Sequence, residues 1–321
     1  MLKKLEDIDV SIIVCTYNPD IDKLKRTLFS AIMQKKINFE IIVADDGSSS
    51  FDEDLIRDYF VKNNFKQYHI CKSSSNQGTV KNIYNGLLSS KGKYVYIISP
   101  GDYFYESSTL SELCEFSEEN ECAVCFGEAA CYEESNGDFV FSKPFSPRNP
   151  YVYSVRFYNQ FVALTGFFSG QYPVGATYFR RREIALYYMG LLQDKVKYLE
   201  DYPSTALLLL DKKEMKFFPK PVVWYEYGSG VSTSGSEVWK KRLDQDFEQS
   251  RLLILDKHSD NSVVGAMDKG TSIKRLQYVG VRALNILIRL IGKILFEMRK
   301  CNYNKSLLEY LYDFDSRYSN M

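Results

Sequence analysis

The sequence predicts an α/β protein with a mainly parallel sheet flanked by helices and with a helical appendage at its C-terminus. Two observations support this fold class. Between residues 9 and 99, short β-branched runs alternate with amphipathic stretches, a pattern typical of parallel strands joined by crossover helices. Residues 274–300 then combine basic and apolar side chains at helical spacing. With 321 residues the chain is long enough for about two domains.

The first half of the chain contains four predicted strands, each rich in the residues that favour burial on both faces of a sheet. They are residues 9–16, 39–46, 67–73 and 93–99. Helices are predicted after Asp20, which is placed to cap the first of them, after Ser50 and after Gly78. Later in the chain, residues 123–133 and 222–227 favour strands and residues 205–213 favour a helix.

A polar cluster follows each of the four strands. The clusters are Thr16-Tyr17-Asn18, Asp45-Asp46-Gly47-Ser48, Asn76-Gln77-Gly78 and Asp102. Because the carboxyl ends of parallel strands meet at the same edge of a sheet, we expect these side chains to converge on one ligand site.

The first polar turn limits the class of ligand. It reads CTYNPD (15–20) and contains no glycine, which excludes the glycine-rich phosphate cradles of dinucleotide-binding and P-loop proteins. A nucleotide at this edge must then be recognised by side chains. Asp46 can accept a hydrogen bond from a pyrimidine imide, Tyr17 can stack on or border the base, and Asp102 can hold a divalent cation against the phosphates.

The composition excludes further classes. The 41 basic and 41 acidic side chains balance, so the chain lacks the basic footprint expected for nucleic-acid binding. No uninterrupted apolar run reaches the length of about 18 residues that predicts a membrane-spanning helix. No secretory signal precedes the seven cysteines, and we therefore expect a reducing, cytoplasmic compartment. Cys122 and Cys125 form a C-x-x-C pair, yet their strand-like surroundings favour buried thiols over a zinc site.

Several motifs, taken in order, resemble those of one known family. SIIVCTYN, IIVADDGSSS, NQGTVKN and YIISPGD resemble the nucleotide-sugar half of a family 2 glycosyltransferase, an inverting enzyme of the GT-A fold. GATYFRRREI (175–184) and YMGLLQDKVKYLEDY (188–202) resemble the acceptor-side segment and the Glu-Asp motif of that family. The resemblance extends over residues 9–235.

Nine residues receive a role from this resemblance. Those assigned to the donor nucleotide are Thr16 and Tyr17 at the base, Asp46 on the pyrimidine, Gly78, Lys81 and Asn82 at the edge of the donor site, and Asp102 at the phosphates. Asp201 is the implied base of the reaction, with Glu200 as the second choice. Helix capping is the alternative role for both acids, because acids are favourable near a helix N-terminus.

Asp102 is also where the sequence departs from the family pattern. Members with the full metal-binding motif have acids where Ser99 and Gly101 stand here. The resemblance still implies Mg²⁺ or Mn²⁺ at Asp102, because diphosphate and water can complete the shell of a cation that is held by one carboxylate. Alternatively, Lys or Arg side chains neutralise the diphosphate, and Asp102 bonds the sugar or the ribose.

The resemblance implies three parts: a nucleotide-sugar-binding half (1–105), an acceptor-binding half with the Glu-Asp motif (106–235) and a C-terminal helical extension (236–321). The implied function is transfer of a sugar from a UDP-linked donor to a glycan or lipid-linked saccharide, as in bacterial surface-polysaccharide synthesis. A catalytically silent nucleotide-sugar-binding or scaffold subunit is the alternative. The Gly/Ser/Thr-rich end of the second part is a lid or a linker, with Tyr227 and Ser229 as candidate donor contacts.

The C-terminal stretch 274–300 contains seven basic residues and one acid, Glu297. Arg275, Arg282 and Arg289 recur every seven residues and Lys293 follows four later, so they share one face of a helix beside apolar residues. This pattern predicts a basic amphipathic helix in a membrane interface, and the family resemblance implies that this is the inner face of the cell membrane. A helix that packs in a bundle or in a homo-oligomer, with extended arginines, is the alternative.

Overall fold

One nine-stranded sheet organises the part of the chain described by the computed structural model, which comprises residues 7–135, 138–141, 147–228, 236–267, 279–299 and 302–318. The strands are β1 (Val10–Thr16), β2 (Phe39–Asp45), β3 (Tyr68–Lys72), β4 (Tyr94–Ile98), β5 (Tyr103–Phe104), β6 (Val124–Ser135), β7 (Asp138–Phe141), β8 (Tyr178–Arg181) and β9 (Met215–Glu226). The helices are α1 (Ile21–Ile32), α2 (Glu53–Lys62), α3 (Thr79–Ser89), α4 (Thr109–Glu119), α5 (Gln160–Phe168), α6 (Arg182–Leu192), α7 (Asp201–Leu210), α8 (Glu237–His258), α9 (Ser262–Met267), α10 (Val279–Met298) and α11 (Ser306–Tyr318).

The first half of the sheet is parallel, as the alternation of strands and helices predicted. Its order is β3-β2-β1-β4, and Val10 of β1 lies opposite Phe39 of β2 and Tyr94 of β4. Ile12 and Ile13, on opposite faces of β1, are both fully buried, and each such side chain contributes about 1.5–3 kcal/mol by leaving water. The central strand therefore has helices over both of its faces.

The predicted start of the first helix is confirmed. The Asp20 carboxylate accepts hydrogen bonds from the N–H groups of Asp22 and Lys23 at the N-terminus of α1. Those N–H groups have no partner inside the helix, so the cap stabilises this end.

The second half of the sheet is mixed. β8 pairs antiparallel with both β4 and β6, β9 runs parallel to β6, and β5 and β7 pair antiparallel with β9 and β6. The strands predicted within 123–133 and at 222–227 are confirmed as parts of β6 and β9, and the helix predicted at 205–213 is α7. Tyr103 lies opposite Trp224, so the end of β9 reaches the turn that carries Asp102.

Two apolar layers cover the sheet. Helices α3, α5, α6 and α7 pack on one face, and α1, α2 and α4 pack on the other. A third, aromatic cluster surrounds Trp224 and Tyr103 and includes Leu308 and Leu311 of α11. The last described helix therefore folds back onto the first half of the chain.

The predicted C-terminal helical appendage is present as α8 to α11. Residues 274–278 and 300 of the basic stretch, and Ser229 of the glycine-rich segment, lie outside the described residues. The three-part division at residues 105 and 235 stays a prediction. Among the described helices, none combines the length and the apolar character needed to cross a membrane.

Candidate active site

The polar turns after β1 and β2 are joined by hydrogen bonds. The Asn18 N–H donates to Ser48 Oγ at 2.6 Å, and the Asp46 N–H donates to the Thr16 carbonyl at 2.9 Å. Buried Asp45 accepts from the Ser48 N–H at 2.9 Å, which closes the second turn. The predicted convergence of these turns on one edge is therefore observed.

Asp46 connects this edge to the start of α3. Its two carboxylate oxygens accept the N–H groups of Gln77 at 2.9 Å and Gly78 at 2.8 Å. Burial raises the pKa of Asp46, whereas the two N–H donors and the charge of Lys197 oppose that rise. Gly78 has φ +97°, and an added Cβ would lie 2.7 Å from the Lys197 carbonyl oxygen, so only glycine fits here. Each oxygen of Asp46 keeps a second lone pair for a ligand.

Thr16 and Tyr17 lie at the end of β1 beside this carboxylate. The Thr16 hydroxyl is buried, and it has no hydrogen-bond partner among the described residues. Tyr17 is 51% exposed, which leaves its ring free to border a bound base. An unused buried hydroxyl and an exposed ring next to Asp46 are features expected of a ligand site.

Lys81 and Asn82 have other contacts. The Lys81 ammonium donates to Gln193 Oε1 at 2.5 Å and lies 3.7 Å from Asp194, at the end of α6. The Asn82 amide is buried and donates to the Ala44 carbonyl at 2.8 Å. Both side chains connect α3 to its neighbours, and neither forms a hydrogen bond with the Asp46 carboxylate.

Asp102 is buried at the end of β4 and is 8% exposed. Its Oδ1 accepts the N–H of Glu226 at 3.2 Å. Burial raises the pKa of Asp102 to about 8; the negative charge of Glu226 adds to the rise, and Lys23 opposes it. Lys23 forms an ion pair with Glu226 at 2.5 Å. Neither Lys23 nor Glu226 was identified at this site from the sequence, because they are 203 residues apart.

The oxygen atoms around Asp102 suit a hard divalent cation. Among the described residues, no group of three or more His, Cys, Asp or Glu side chains is arranged to hold a metal ion. Asp102 and neighbouring Glu226 are nevertheless carboxylates, the ligand type that Mg²⁺ and Mn²⁺ prefer. Gly101 has φ +100° and packs against the Glu226 carboxylate. The residues therefore fit a cation only if it arrives with a donor diphosphate that supplies further oxygens.

Glu200 and Asp201 lie at the start of α7, next to Gly175. An added Cβ at Gly175 would be 2.8 Å from Glu200 Oε1, so glycine leaves the space that this carboxylate occupies. Burial and the neighbouring charge of Asp201 raise the pKa of Glu200 to about 7. Burial also raises the pKa of Asp201, while the N–H of Tyr202 and the charge of Arg180 oppose that rise.

Helix capping accounts for few of the contacts of these two acids. Glu200 occupies the cap position of α7 without a side-chain cap hydrogen bond. Asp201 Oδ1 accepts the N–H of Tyr202 at 2.7 Å, and the N–H of Gly175 also lowers the pKa of this carboxyl. The pair combines an acid whose pKa is raised to about 7 with a carboxylate that backbone donors hold in place, as expected for proton transfer.

Arg180 of β8 was not identified from the sequence. It is buried, its guanidinium lies 4.3 Å from the centre of the Tyr178 ring, and its Nη2 has no partner in the described residues. Its positive charge lowers the pKa of both Glu200 and Asp201. The RRRE segment (180–183) signals a basic cluster, but only the strand register shows that Arg180 points to the acids.

Asp246 of α8 was also not identified from the sequence. Its carboxylate accepts the N–H groups of three successive residues, Lys197 at 3.2 Å, Tyr198 at 2.6 Å and Leu199 at 3.0 Å. These residues precede the Glu-Asp pair directly. Asp246 therefore fixes the loop that carries the two acids.

Two buried side chains connect the Asp46 edge, Asp102 and the acid pair. Burial raises the pKa of Cys15, and the charges of Glu200 and Asp46 add to the rise, which places Cys15 near both acids. The Tyr96 hydroxyl donates to the Ala176 carbonyl at 2.6 Å. Burial and, next, the charge of Asp102 raise the pKa of Tyr96. All the candidate acids therefore lie near the ends of β1 and β4.

The remaining candidates lie elsewhere or at the rim. The Tyr227 N–H donates to the Tyr132 carbonyl at 2.9 Å, and its side chain is exposed beyond the end of β9. In the C-x-x-C pair, the Cys125 thiol lies 3.2 Å from Ser117 Oγ and the Cys122 thiol 4.0 Å from the same atom. Both cysteines are buried in the core under α4, away from the polar edge.

Comparison with curated proteins finds glycosyltransferases. The chain is 25% identical to a dolichyl-phosphate beta-glucosyltransferase of Dictyostelium discoideum, over 50% of this chain and 51% of that protein. It is 26% identical to glycosyltransferase GlyG of Streptococcus pneumoniae over 41% of this chain and 42% of that protein. An uncharacterized glycosyltransferase of Rickettsia bellii is 31% identical over 36% of this chain and 16% of that protein. The matches span about half of these relatives or less.

Comparison with solved structures addresses the fold. TarS of S. aureus in complex with UDP-GlcNAc has a TM-score of 0.53 at 17% identity, covering 90% of this chain and 89% of that chain. Mannosyltransferase PcManGT of Pyrobaculum calidifontis, in complex with GDP-Man and Mn²⁺, has a TM-score of 0.55 at 13% identity, covering 97% and 81%. These similarities confirm the predicted GT-A-type α/β fold. The family model for glycosyl transferase family 2 matches residues 11–185, more than half of the chain, and the chain therefore belongs to glycosyl transferase family 2.

Proposed function

We propose that this protein transfers a sugar from a nucleoside diphosphate donor, UDP-linked, to a hydroxyl of a saccharide or lipid-linked acceptor, with inversion at the anomeric carbon. The observation that carries the proposal is the convergence of Asp46, Asp102 and the Glu200–Asp201 pair at the ends of β1 and β4. One acid can face the base, one the diphosphate, and the pair the acceptor.

The donor assignment rests on Asp46. Its carboxylate is fixed as an acceptor by two backbone N–H groups, and a uracil imide supplies the matching donor. The exposed Tyr17 ring and the unused Thr16 hydroxyl complete a pocket for the base and ribose. The binding of UDP-GlcNAc by the structurally similar TarS supports a uridine donor, whereas that of GDP-Man by PcManGT makes guanosine the alternative.

Inverting transfer is one in-line displacement, in which the acceptor oxygen attacks while the nucleoside diphosphate leaves. A carboxylate must take the acceptor proton, and Asp201 suits this role because backbone N–H groups hold its carboxylate in place. The carboxyl of Glu200 is the other group of the pair that can carry a proton. The charge of Arg180 keeps the pair partly ionised, since it lowers the pKa of both acids.

The departing diphosphate requires positive charge on the opposite side. Asp102, with Glu226 beside it, would hold a Mg²⁺ or Mn²⁺ ion there. Such a cation supplies electrostatic stabilisation of the leaving group. Lys23 lies at the same place and provides the alternative charge.

For the acceptor we propose a lipid-linked saccharide of a surface polysaccharide. Next to Asp201, the Tyr202 ring stacks on Phe167 at 5.4 Å and meets Tyr172 edge-on at 5.6 Å. Phe167 is fully buried, whereas Tyr172 is 38% exposed and offers an aromatic ring on which a sugar can pack. The name of the Dictyostelium relative, a dolichyl-phosphate glucosyltransferase, supports a lipid-linked acceptor.

The test is a two-step measurement on the purified protein. First, UDP and GDP are titrated by calorimetry with and without Mn²⁺; we expect UDP to bind and Asp46→Ala to abolish that binding. Second, release of UDP from a panel of UDP-sugars is followed for the wild type and Asp201→Asn. We expect Asp201→Asn to bind UDP normally and to lose about 10²–10⁴-fold in turnover, the range expected for a lost general base.

Exposed Asp194 provides the matched control, and Asp194→Asn should keep full turnover. Unchanged turnover in Asp201→Asn would reject Asp201 as the base. UDP binding without release from any donor by the wild type would instead support a silent nucleotide-sugar-binding subunit.

A further inference from the structure

Helix α10 is anchored to the protein along one face. Val281, Ile288 and Gly292 of this face are buried, and the helix packs against α5 and α9. The Arg282 guanidinium donates to the Ala266 carbonyl at 2.6 Å, and Arg148 lies 5.7 Å from the centre of the Phe296 ring. The rotational setting of α10 about its own axis is therefore fixed.

The opposite face of α10 is exposed and, apart from Glu297, apolar. Seven large aliphatic side chains on it are between 42% and 72% exposed. Their spacing places them on one side of the helix, turn after turn. We call this set the α10 stripe: Val279, Ile286, Leu287, Leu290, Ile291, Ile294 and Met298. A continuous exposed apolar surface of this kind marks an interaction site.

The charge beside the α10 stripe is positive. Arg282, Arg289 and Lys293 follow one another at intervals of seven and four residues, so they share one flank of the helix. Arg289 and Lys293 are exposed. Against these three basic residues, α10 contains a single acid, Glu297. Arg289 and Lys293 can therefore meet an anionic surface, whereas the Arg282 guanidinium already donates to the Ala266 carbonyl.

A second group of exposed residues lies on the segment that leads into α5, the helix on which α10 packs. Tyr151, Phe157 and Phe161 are exposed there, and so are Arg148 and Arg156. Aromatic rings and arginines are the side chains that settle at the headgroup level of a bilayer. Arg148 of this group lies against Phe296 of α10, so the group is next to that helix.

From these observations we infer that the α10 stripe docks on the surface of a bilayer that contains anionic lipid. The apolar stripe would enter the boundary between headgroups and acyl chains, and the basic flank would contact lipid phosphates. A second copy of the chain fits less well, because its own basic flank would meet the first one with only Glu297 in each helix to offset the repulsion.

Docking at α10 would bring lipid to the acceptor side of the site. α5 packs on α7 as well as on α10, and α7 begins at Asp201. The inference about docking does not depend on the proposed transfer reaction, because vesicle binding and turnover with a soluble acceptor are separate measurements. A bilayer-bound, catalytically silent protein and an active protein without lipid affinity are therefore distinguishable.

The test is cosedimentation of the full chain with vesicles of phosphatidylcholine alone or mixed with phosphatidylglycerol. We expect binding to the mixed vesicles that weakens as salt is added. The double variant Leu287→Glu, Leu290→Glu should lose at least tenfold in binding. The matched control Val61→Glu, Leu88→Glu changes exposed apolar residues of α2 and α3 and should bind as the wild type does. Arg289→Ala with Lys293→Ala should weaken binding to the mixed vesicles roughly tenfold.

Folding of each variant is checked by thermal unfolding and by UDP titration, both of which should match the wild type. Absence of wild-type cosedimentation would overturn the inference, and so would a stripe variant that binds vesicles normally. Analytical ultracentrifugation tests whether a second copy of the chain binds the α10 stripe instead. A wild-type dimer that the stripe variant converts to monomer, together with no vesicle binding, would show that a second copy covers the α10 stripe.

Discussion

If Glu200 and Asp201 act as proposed, they should determine the pH range in which transfer occurs. Their proximity and burial raise the pKa of Glu200 to about 7. A general base must be ionised, and burial raises the pKa of the proposed base Asp201, so turnover should fall as the pH is lowered and the loss should begin above the range of an ordinary aspartate. In Glu200→Gln the repulsion between the two carboxylates is gone, and the pKa of Asp201 should fall. We expect the rising limb of the kcat profile to move to lower pH in this variant; a limb that stays in place would contradict control by the pair.

Asp102 should make donor binding depend on both metal and pH. Its pKa is raised to about 8 by burial, so in the absence of a cation it holds a proton near neutral pH. A divalent cation must displace that proton, and Mn²⁺-dependent binding of UDP should therefore strengthen as the pH rises towards about 8. Calorimetry at several pH values checks this. Chelation of the metal, or Asp102→Asn, should remove the dependence.

If neither chelation of the metal nor Asp102→Asn changes UDP binding, the alternative is favoured, in which the Lys23 ammonium supplies the positive charge at the diphosphate. The variant Lys23→Met separates the two cases, because it should weaken UDP binding only if the ammonium contacts the diphosphate. Glu112→Gln with its partner Lys220→Met, an ion pair at 2.6 Å between α4 and β9, serves as the control for loss of a charge pair.

Helix α8 positions the acids through Asp246. The carboxylate accepts three successive backbone N–H groups immediately before Glu200. In Asp246→Ala those donors lose their partner and the loop can shift. A displacement of about 1 Å at a catalytic group can cost about a hundredfold in rate. We expect kcat to fall by that order while the KM for the donor changes little, and the exposed neighbour Asp244→Ala should leave both constants unchanged. Equal losses in kcat and in donor binding would indicate a general structural defect instead.

The elements of the first half could be predicted because each one is a local pattern. β1 to β4 and the Asp20 cap follow from runs of neighbouring residues, and parallel topology then places their polar turns together. The other part of the site depends on contacts across long separations. The pairing of Glu226 with Asp102 joins residues 124 positions apart, and nothing near either residue encodes it. The roles of Arg180 and Asp246 likewise depend on strand register and on the docking of α8.

The C-terminal region is part of the body of the protein, because α11 completes the aromatic cluster around Trp224. Leu308 and Leu311 are buried there beside Tyr103, the residue that follows Asp102, and Arg26 of α1 lies 4.3 Å from the centre of the Tyr312 ring. Loss of these contacts should therefore destabilise the part of the chain that contains Tyr103 and Asp102.

We expect Leu311→Ala to lower the free energy of unfolding by about 2–5 kcal/mol, the range for a buried leucine replaced by alanine. The control Leu88→Ala, at an exposed position of α3, should change it by less than about 0.5 kcal/mol. Denaturant unfolding measures both. UDP should raise the unfolding midpoint of Leu311→Ala as it does that of the wild type, because α11 supports the Asp102 turn from behind without contacting the ligand edge. A Leu311→Ala variant as stable as the wild type would mean that α11 only rests on the surface, and the donor half would then fold without it.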